Sequence, residues 1–277
     1  MELVEEIALV SEELGAELEG RALDNLRRLS SKLAKLAERK MVKSNHTIME
    51  LVIAAYLLKK GFEVDVEHWL SGDLVCDIYA VRGGRVLIVE VETGFVPPEN
   101  SLDPIMYRAA REVSKVARYS QYADLFALAT PPYHVLQLPQ FLFYPPELRN
   151  PELVAKVKSL LDEYYTRPPV TLAEILTAKL HYIYLVLVDE LSVIEYSAKE
   201  YYAEFLSSLR RSLEKKLEGT KLAPIYANSM ATAIPLSGSG ALNSVSDEVS
   251  GTRPVTSQLR SDTPQLPRES RKPPRPG

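Results

Sequence analysis

Residues 76–93 read CDIYAVRGGRVLIVEVET, and the placing of acids among apolar residues in this stretch decides the fold. Two strand-like runs flank Gly83-Gly84. A tight two-residue hairpin turn needs positive φ at both central positions, which glycine adopts without strain. Counting outward pairs Arg82 with Arg85, Val81 with Val86, Ala80 with Leu87, Tyr79 with Ile88 and Ile78 with Val89. The next pair is Asp77 with Glu90. Cross-strand partners hold their Cβ atoms roughly 4.5–5.5 Å apart. Alternation puts Glu92 on the face of Asp77 and Glu90. It leaves Cys76, Ile78, Ala80, Leu87, Val89 and Val91 as a wholly apolar, buried face.

Carboxylates opposed in this way repel one another. A protein relieves the repulsion by raising one pKa, by setting a basic side chain between the acids, or by binding a divalent cation. These strands are too apolar for a solvated hairpin. The acids also gather where the second strand gives way to TGFVPP, residues 93–98. The expectation is a metal site, and oxygen ligands favour Mg²⁺ or Mn²⁺ over zinc.

Upstream, HTIMELVIAAYLLKK at 46–60 reads as a helix ended by Gly61. His46 stands four residues before Glu50, a helical spacing that lets it orient that acid. FEVDVEHW at 62–69 alternates like a half-buried strand. The hairpin strands span 73–81 and 85–92. Downstream, Asp103 as N-cap and Pro104 at the first helical position open a helix to about Tyr122. DLFALAT at 124–130 is a short apolar strand. The order is helix, three strands, helix, strand.

This arrangement resembles the PD-(D/E)XK nuclease superfamily, whose restriction-endonuclease-like core is an αβββαβ unit with a central mixed sheet flanked by helices. The likeness covers residues 44–130, about a third of the chain, and looks nearest to archaeal members of unassigned function. The family signature is an acid on the second strand and (Asp/Glu)-x-Lys on the third. Here those positions are Asp77 and Glu90-Val91-Glu92, and Glu50 matches an extra acid that many members carry on the first helix. The resemblance implies Mg²⁺ or Mn²⁺ held by Asp77, Glu90, the Val91 carbonyl and Glu50, and in-line hydrolysis of a DNA phosphodiester. Structured RNA is the alternative substrate.

Two positions depart from the pattern. Cys76 replaces the motif proline, and Glu92 replaces the motif lysine, which in the family orients the attacking water. A minority of restriction enzymes in the superfamily carry Glu-x-Glu and cleave DNA. The alternative is an inactive member that binds nucleic acid or serves as a subunit of a DNA-processing complex. A substitute cation is at hand: Arg108, Arg111, Lys115 and Arg118 follow 3-4-3 spacing and form one basic stripe. Lys115 or Arg111 is the candidate replacement for the catalytic lysine, and the whole stripe is the candidate phosphate contact.

The remaining chain adds context. Residues 1–43 read as helical, with Gly15 and Gly20 as breaks. Leu26, Leu29, Leu33 and Leu36 form a stripe that packs on the domain or makes a short coiled-coil contact in a homodimer. Residues 131–223 read as an additional α/β region packed on the core. It holds a helix near 151–165, an interior strand at 180–188 and a helix over 197–218. From about residue 224 the composition is Ser/Pro/Thr/Gly-rich and predicts a disordered tail.

Net charge is −4, so nucleic-acid contact has to come from a local basic surface. Apolar runs are too short to cross a bilayer and the N-terminus lacks a basic signal region, so the expected place is the cytoplasm. Cys76 is the sole cysteine, which excludes an internal disulfide and a cysteine-based zinc site. His68, His134 and His181 show no metal spacing. Tyr107 and Tyr119 are the aromatics considered for base stacking. VRGGRV lacks the lysine and following helix of a phosphate loop.

Overall fold

The computed structural model describes residues 2–226, apart from the side chains of 208–210 and 212. It is an α/β fold built on one six-stranded mixed sheet with strands in chain order. Helices α1 (Leu3–Gly15), α2 (Gly20–Glu38) and α3 (Ser44–Lys59) lead into strands β1 (Glu63–Ser71), β2 (Leu74–Arg82) and β3 (Arg85–Val91). Helix α4 (Pro104–Tyr119) and strand β4 (Leu125–Thr130) follow, then α5 (Pro151–Leu161), α6 (Leu172–Thr177), β5 (Tyr182–Leu187) and β6 (Ser192–Ser197). The expected run of helix, three strands, helix and strand is present as α3 to β4. A helical segment from Ala198 to Leu217 contains a π-helical turn at Tyr202–Leu206.

Strands β1 to β3 form an antiparallel meander; β3, β4 and β5 are parallel, and β6 returns antiparallel on the edge. Alternate residues of the central strands feed two cores. Ala127, Ala129, Tyr184 and Val186 join α1, α2 and α3 on one face. Phe126, Leu128, Ile183 and Leu185 join α4, α5 and α6 on the other. Strands covered on both faces read as near-continuous apolar runs, as β4 and β5 do. Helix α3 is buried almost all round. Leu26, Leu29 and Leu33 are fully buried in the chain's own core, so that stripe is not free for a coiled-coil partner.

Three expectations are corrected. First, the hairpin register holds from Arg82–Arg85 to Ile78–Val89, but the recorded ladder stops there. The side chains of the next pair take over its hydrogen bonds: Asp77 N–H donates to Glu90 Oε1 at 3.1 Å, and Val91 N–H donates to Asp77 Oδ2 at 2.6 Å. Second, Cys76 is not on the face of Ile78. It packs with Ile88 on the α4 side, while Ile78 packs with Val89 on the α3 side. Alternation therefore slips across Asp77. It slips at the same level on β1, where Glu67 has φ +45° between the Val66–Ile78 and His68–Cys76 pairs. Third, the side chain of Asp103 does not cap α4. Asp103 Oδ2 accepts instead from the Tyr164 hydroxyl. Helix α9 (Ala223–Tyr226), which follows α7 (Ala198–Tyr201) and α8 (Ser207–Leu217), buries Ile225 and Tyr226 against Met106, Ala110 and Leu160. The rest of the expected tail lies outside the described residues. The sequence reading also missed β6.

No helix among the described residues is long and apolar enough to cross a membrane.

Candidate metal centre

The slip at Asp77 and Glu67 turns two acids toward the start of α3. Ligand atoms of His46, Glu50, Glu67 and Asp77 lie within 4.8 Å of one another and can hold a metal ion. His46 and Glu50 are one helical turn apart. Nε2 of His46 is 3.1 Å from Glu50 Oε1 and 3.2 Å from Asp77 Oδ1. One N–H cannot point at both. Neither oxygen of Glu50 has a well-aligned hydrogen bond among the described residues, although its side chain is fully buried. A buried carboxylate left in this state costs several kcal/mol unless it is neutralised. Burial raises its carboxyl well above the ordinary range, with His46 opposing. Burial opposes charge on His46, but Asp77 and Glu50 outweigh it and raise the imidazole to about 10.

Glu67 completes the group at a conformational cost. A left-handed φ in a residue with a Cβ costs on the order of 1 kcal/mol. Burial and the nearby Asp77 raise its carboxyl above the usual range. The donor set of one imidazole and three carboxylates, with one orphaned buried carboxylate, fits a divalent cation. Such an ion replaces the proton that His46 otherwise holds, since ligands bind deprotonated.

The other acids found a different partner. Lys115 Nζ lies 3.1 Å from Asp77 Oδ2, 3.1 Å from Glu90 Oε2 and 3.2 Å from Glu92 Oε1, and it donates to Val91 O at 2.8 Å. Of the three ways to relieve repulsion, an inserted basic side chain is present here, and a raised pKa at Glu90 accompanies it. The expected ligands Asp77, Glu90, Val91 carbonyl and Glu50 fall into two groups. Asp77 and Glu50 stay in the metal-capable group, His46 and Glu67 join it, and Glu90 and Val91 bind an ammonium. Asp77 links the two clusters. Burial opposes its ionisation, but Lys115 and His46 hold its carboxyl well below the usual range. Burial and Asp77 push Glu90 far up.

The basic stripe on α4 divides its tasks. Arg111 Nε donates to Glu92 Oε1 at 3.0 Å, and Lys115 is mostly buried among the acids. Arg108 donates to Pro104 O and Arg118 to Pro168 O. Lys115 thus lies among Asp77, Glu90 and Glu92, whereas the four cations do not form one open row. Tyr107 packs edge-on against Tyr164, and Tyr119 is partly buried in the α4-side core.

The pairing of His46 with Glu50 was legible from spacing. Glu67 was not: an acid two residues before the end of an alternating strand reads as solvent-facing, and nothing in FEVDVEHW announces a left-handed glutamate. His134, which shows no metal spacing, is instead buried against Glu112, with Nε2 2.9 Å from Oε1.

No family model, curated protein or solved structure matches this chain.

Proposed function

We propose that the protein is a metal-dependent nuclease hydrolysing phosphodiester bonds in DNA, with Mg²⁺ or Mn²⁺ as its cofactor. The observation that carries this reading is Glu50, a fully buried carboxyl group with no well-aligned hydrogen bond among the described residues, His46 Nε2 standing 3.1 Å from its Oε1, in a group with Glu67 and Asp77. A divalent cation there would supply Lewis acidity and a water acidified for attack. His46, Glu50, Glu67 and Asp77 hold it. Lys115, between Asp77, Glu90 and Glu92, is the cation nearest the group and takes the charge-stabilising part left open by Glu92. Arg111 is kept beside it by Glu92. The imidazole makes the set less suited to Mg²⁺ than an all-oxygen set would be, and the three carboxylates suit Mn²⁺.

A second reading has its own support. Lys115 is so well satisfied by three acids that the group is stable as a purely structural network. A non-catalytic member that binds nucleic acid, alone or within a DNA-processing complex, fits that geometry.

Titration calorimetry with MnCl₂ and MgCl₂, paired with cleavage assays on single-stranded, linear duplex and branched DNA and on structured RNA, separates these readings. The nuclease reading expects metal-dependent cleavage that Asp77→Asn and Glu50→Gln abolish, with loss of metal binding. Metal binding without cleavage of any substrate supports the second reading. No metal binding at millimolar concentration rejects the site.

A further inference from the structure

Beside the acid group lies a cavity of about 280 Å³ whose lining holds no carboxylate. Lys43, Arg111, Thr93 and Phe95 form its walls, and His46 is the wall it shares with the candidate metal centre. The start of α3 opens into it. Thr47 is the first residue whose N–H bonds within that helix, to Lys43 O at 3.0 Å, and no side chain caps the end. The backbone N–H groups of Ser44, Asn45 and His46 are left without partners among the described residues, the arrangement that receives anions at helix N-termini. The nearest acids are already engaged: Glu92 by Arg111 and Lys115, and Asp77 by His46 and Lys115. Glu6 accepts from the Ser44 hydroxyl at the rim. The helix end is not the only pointer to a ligand. Lys43, Arg111 and the half-exposed Phe95 ring line the same cavity.

Phe95 adds a second chemistry. Its ring is about half exposed, and the Lys43 ammonium sits 4.5 Å from the ring centre. The segment that carries it packs closely on a buried pair. Gly94 has φ +75° and touches His134 so closely that a Cβ would stand 2.5 Å from Nδ1. His134 is in turn fixed by Glu112, which also accepts from Gln137 N–H. A buried pair that metal chemistry does not need thus sets the position of an exposed ring.

The geometry points to this cavity as the seat of one unpaired nucleotide: its phosphate on the α3 N-terminus, Lys43 and Arg111, its base stacked on Phe95. The inference rests on the nucleic-acid reading above and narrows it to single-stranded or frayed strands. A base inside a duplex is stacked on its neighbours and cannot present a face to a ring in a cavity this small. Stacking on an aromatic side chain is tolerant of base identity, so no sequence preference is expected.

The test is fluorescence anisotropy of a labelled 12-nucleotide single strand and of the matching duplex, with the full chain, in EDTA and again in CaCl₂. The single strand should bind about tenfold more tightly than the duplex in both buffers. Phe95→Ala should lower single-strand affinity about tenfold and leave duplex affinity unchanged, while Phe95→Trp should retain it. Lys43→Ala should weaken both and lower the salt slope by about one. Inorganic phosphate should compete only weakly. Equal binding of the two DNA forms overturns the inference, as does an unchanged Phe95→Ala or full competition by phosphate alone. Phe95 and Lys43 are exposed, and a matching circular dichroism spectrum confirms that the variants fold. Binding is read without hydrolysis, so strand preference with no cleavage would leave this inference standing while the nuclease reading falls. Cleavage indifferent to Phe95 would do the reverse.

Discussion

Nζ of Lys115 lies 3.1 Å from Oε2 of Glu90, and both groups are largely withdrawn from water. The ammonium is what allows Glu90 to occupy a buried strand position next to Asp77. Burial works against charge on Lys115, and Asp77, Glu92 and Glu90 together raise it well above its ordinary value. Lys115→Met should therefore destabilise the fold by about 3–5 kcal/mol in urea unfolding, the cost of leaving buried charge uncompensated. Lys115→Met/Glu90→Gln should recover part of that loss. Strict additivity of the two changes would contradict a shared ion pair.

Millimolar MnCl₂ should raise the melting temperature by about 5 °C if the ion exceeds its dissociation constant a hundredfold, a gain of ~2.7 kcal/mol. Glu50→Gln and Asp77→Asn should lose this shift. Glu90→Gln should largely keep it, because Glu90 bonds the lysine and not the ion. A larger loss from Glu90→Gln than from Glu50→Gln would restore the ligand set expected from the motif alone. Differential scanning fluorimetry with and without chelator reads the difference.

Glu67 gives opposite signs for stability and binding. Glu67→Gly removes a strained left-handed residue and a half-buried acid, so the metal-free protein should gain about 1 kcal/mol. Manganese affinity should fall at least tenfold. Paired unfolding and calorimetric titrations check both, and a stability loss would show that the strain is not real.

Gly94→Ala combines a φ of +75° with overlap on His134 and should cost about 2 kcal/mol. In a His134→Ala background the same change should cost less, since only the backbone strain remains. A double-mutant cycle by chemical unfolding measures the difference.

Glu112 contributes a pH dependence of its own. Burial raises its carboxyl above the ordinary value of 4.5, with His134 opposing. The folded state thus binds this proton more tightly than the unfolded chain. Its contribution is fully present below pH 4.5 and is lost as pH rises through the folded value. Relative to Glu112→Gln, wild type should lose stability as the buffer is moved from pH 4.5 toward neutrality. A flat difference across that range would mean that Glu112 is ionised without cost.

Much of the central fold was legible because its signals are local. Gly83-Gly84 dictates a hairpin, Gly61 and Pro104 mark helix ends, and strict alternation sets the register as far as Ile78–Val89. The reading failed where side chains replace backbone partners. Period two predicts that Cys76 shares a face with Ile78, and it cannot anticipate a slip produced by carboxylates accepting strand N–H groups. The edge strand β6 was missed because SVIEYS, directly after the Asp189-Glu190 turn, is short and only half apolar. The basic stripe showed that a lysine was available, but spacing alone could not say that Lys115 turns inward while Arg118 reaches Pro168.

The bond from Val91 N–H to Asp77 Oδ2 makes that amide a built-in sensor. Any guest that draws electron density from Asp77, whether ion or proton, loosens the grip of its second oxygen on β3. The nitrogen-15 resonance of one buried backbone group would then register events several bonds away, giving a spectroscopic handle on the centre that needs no substrate.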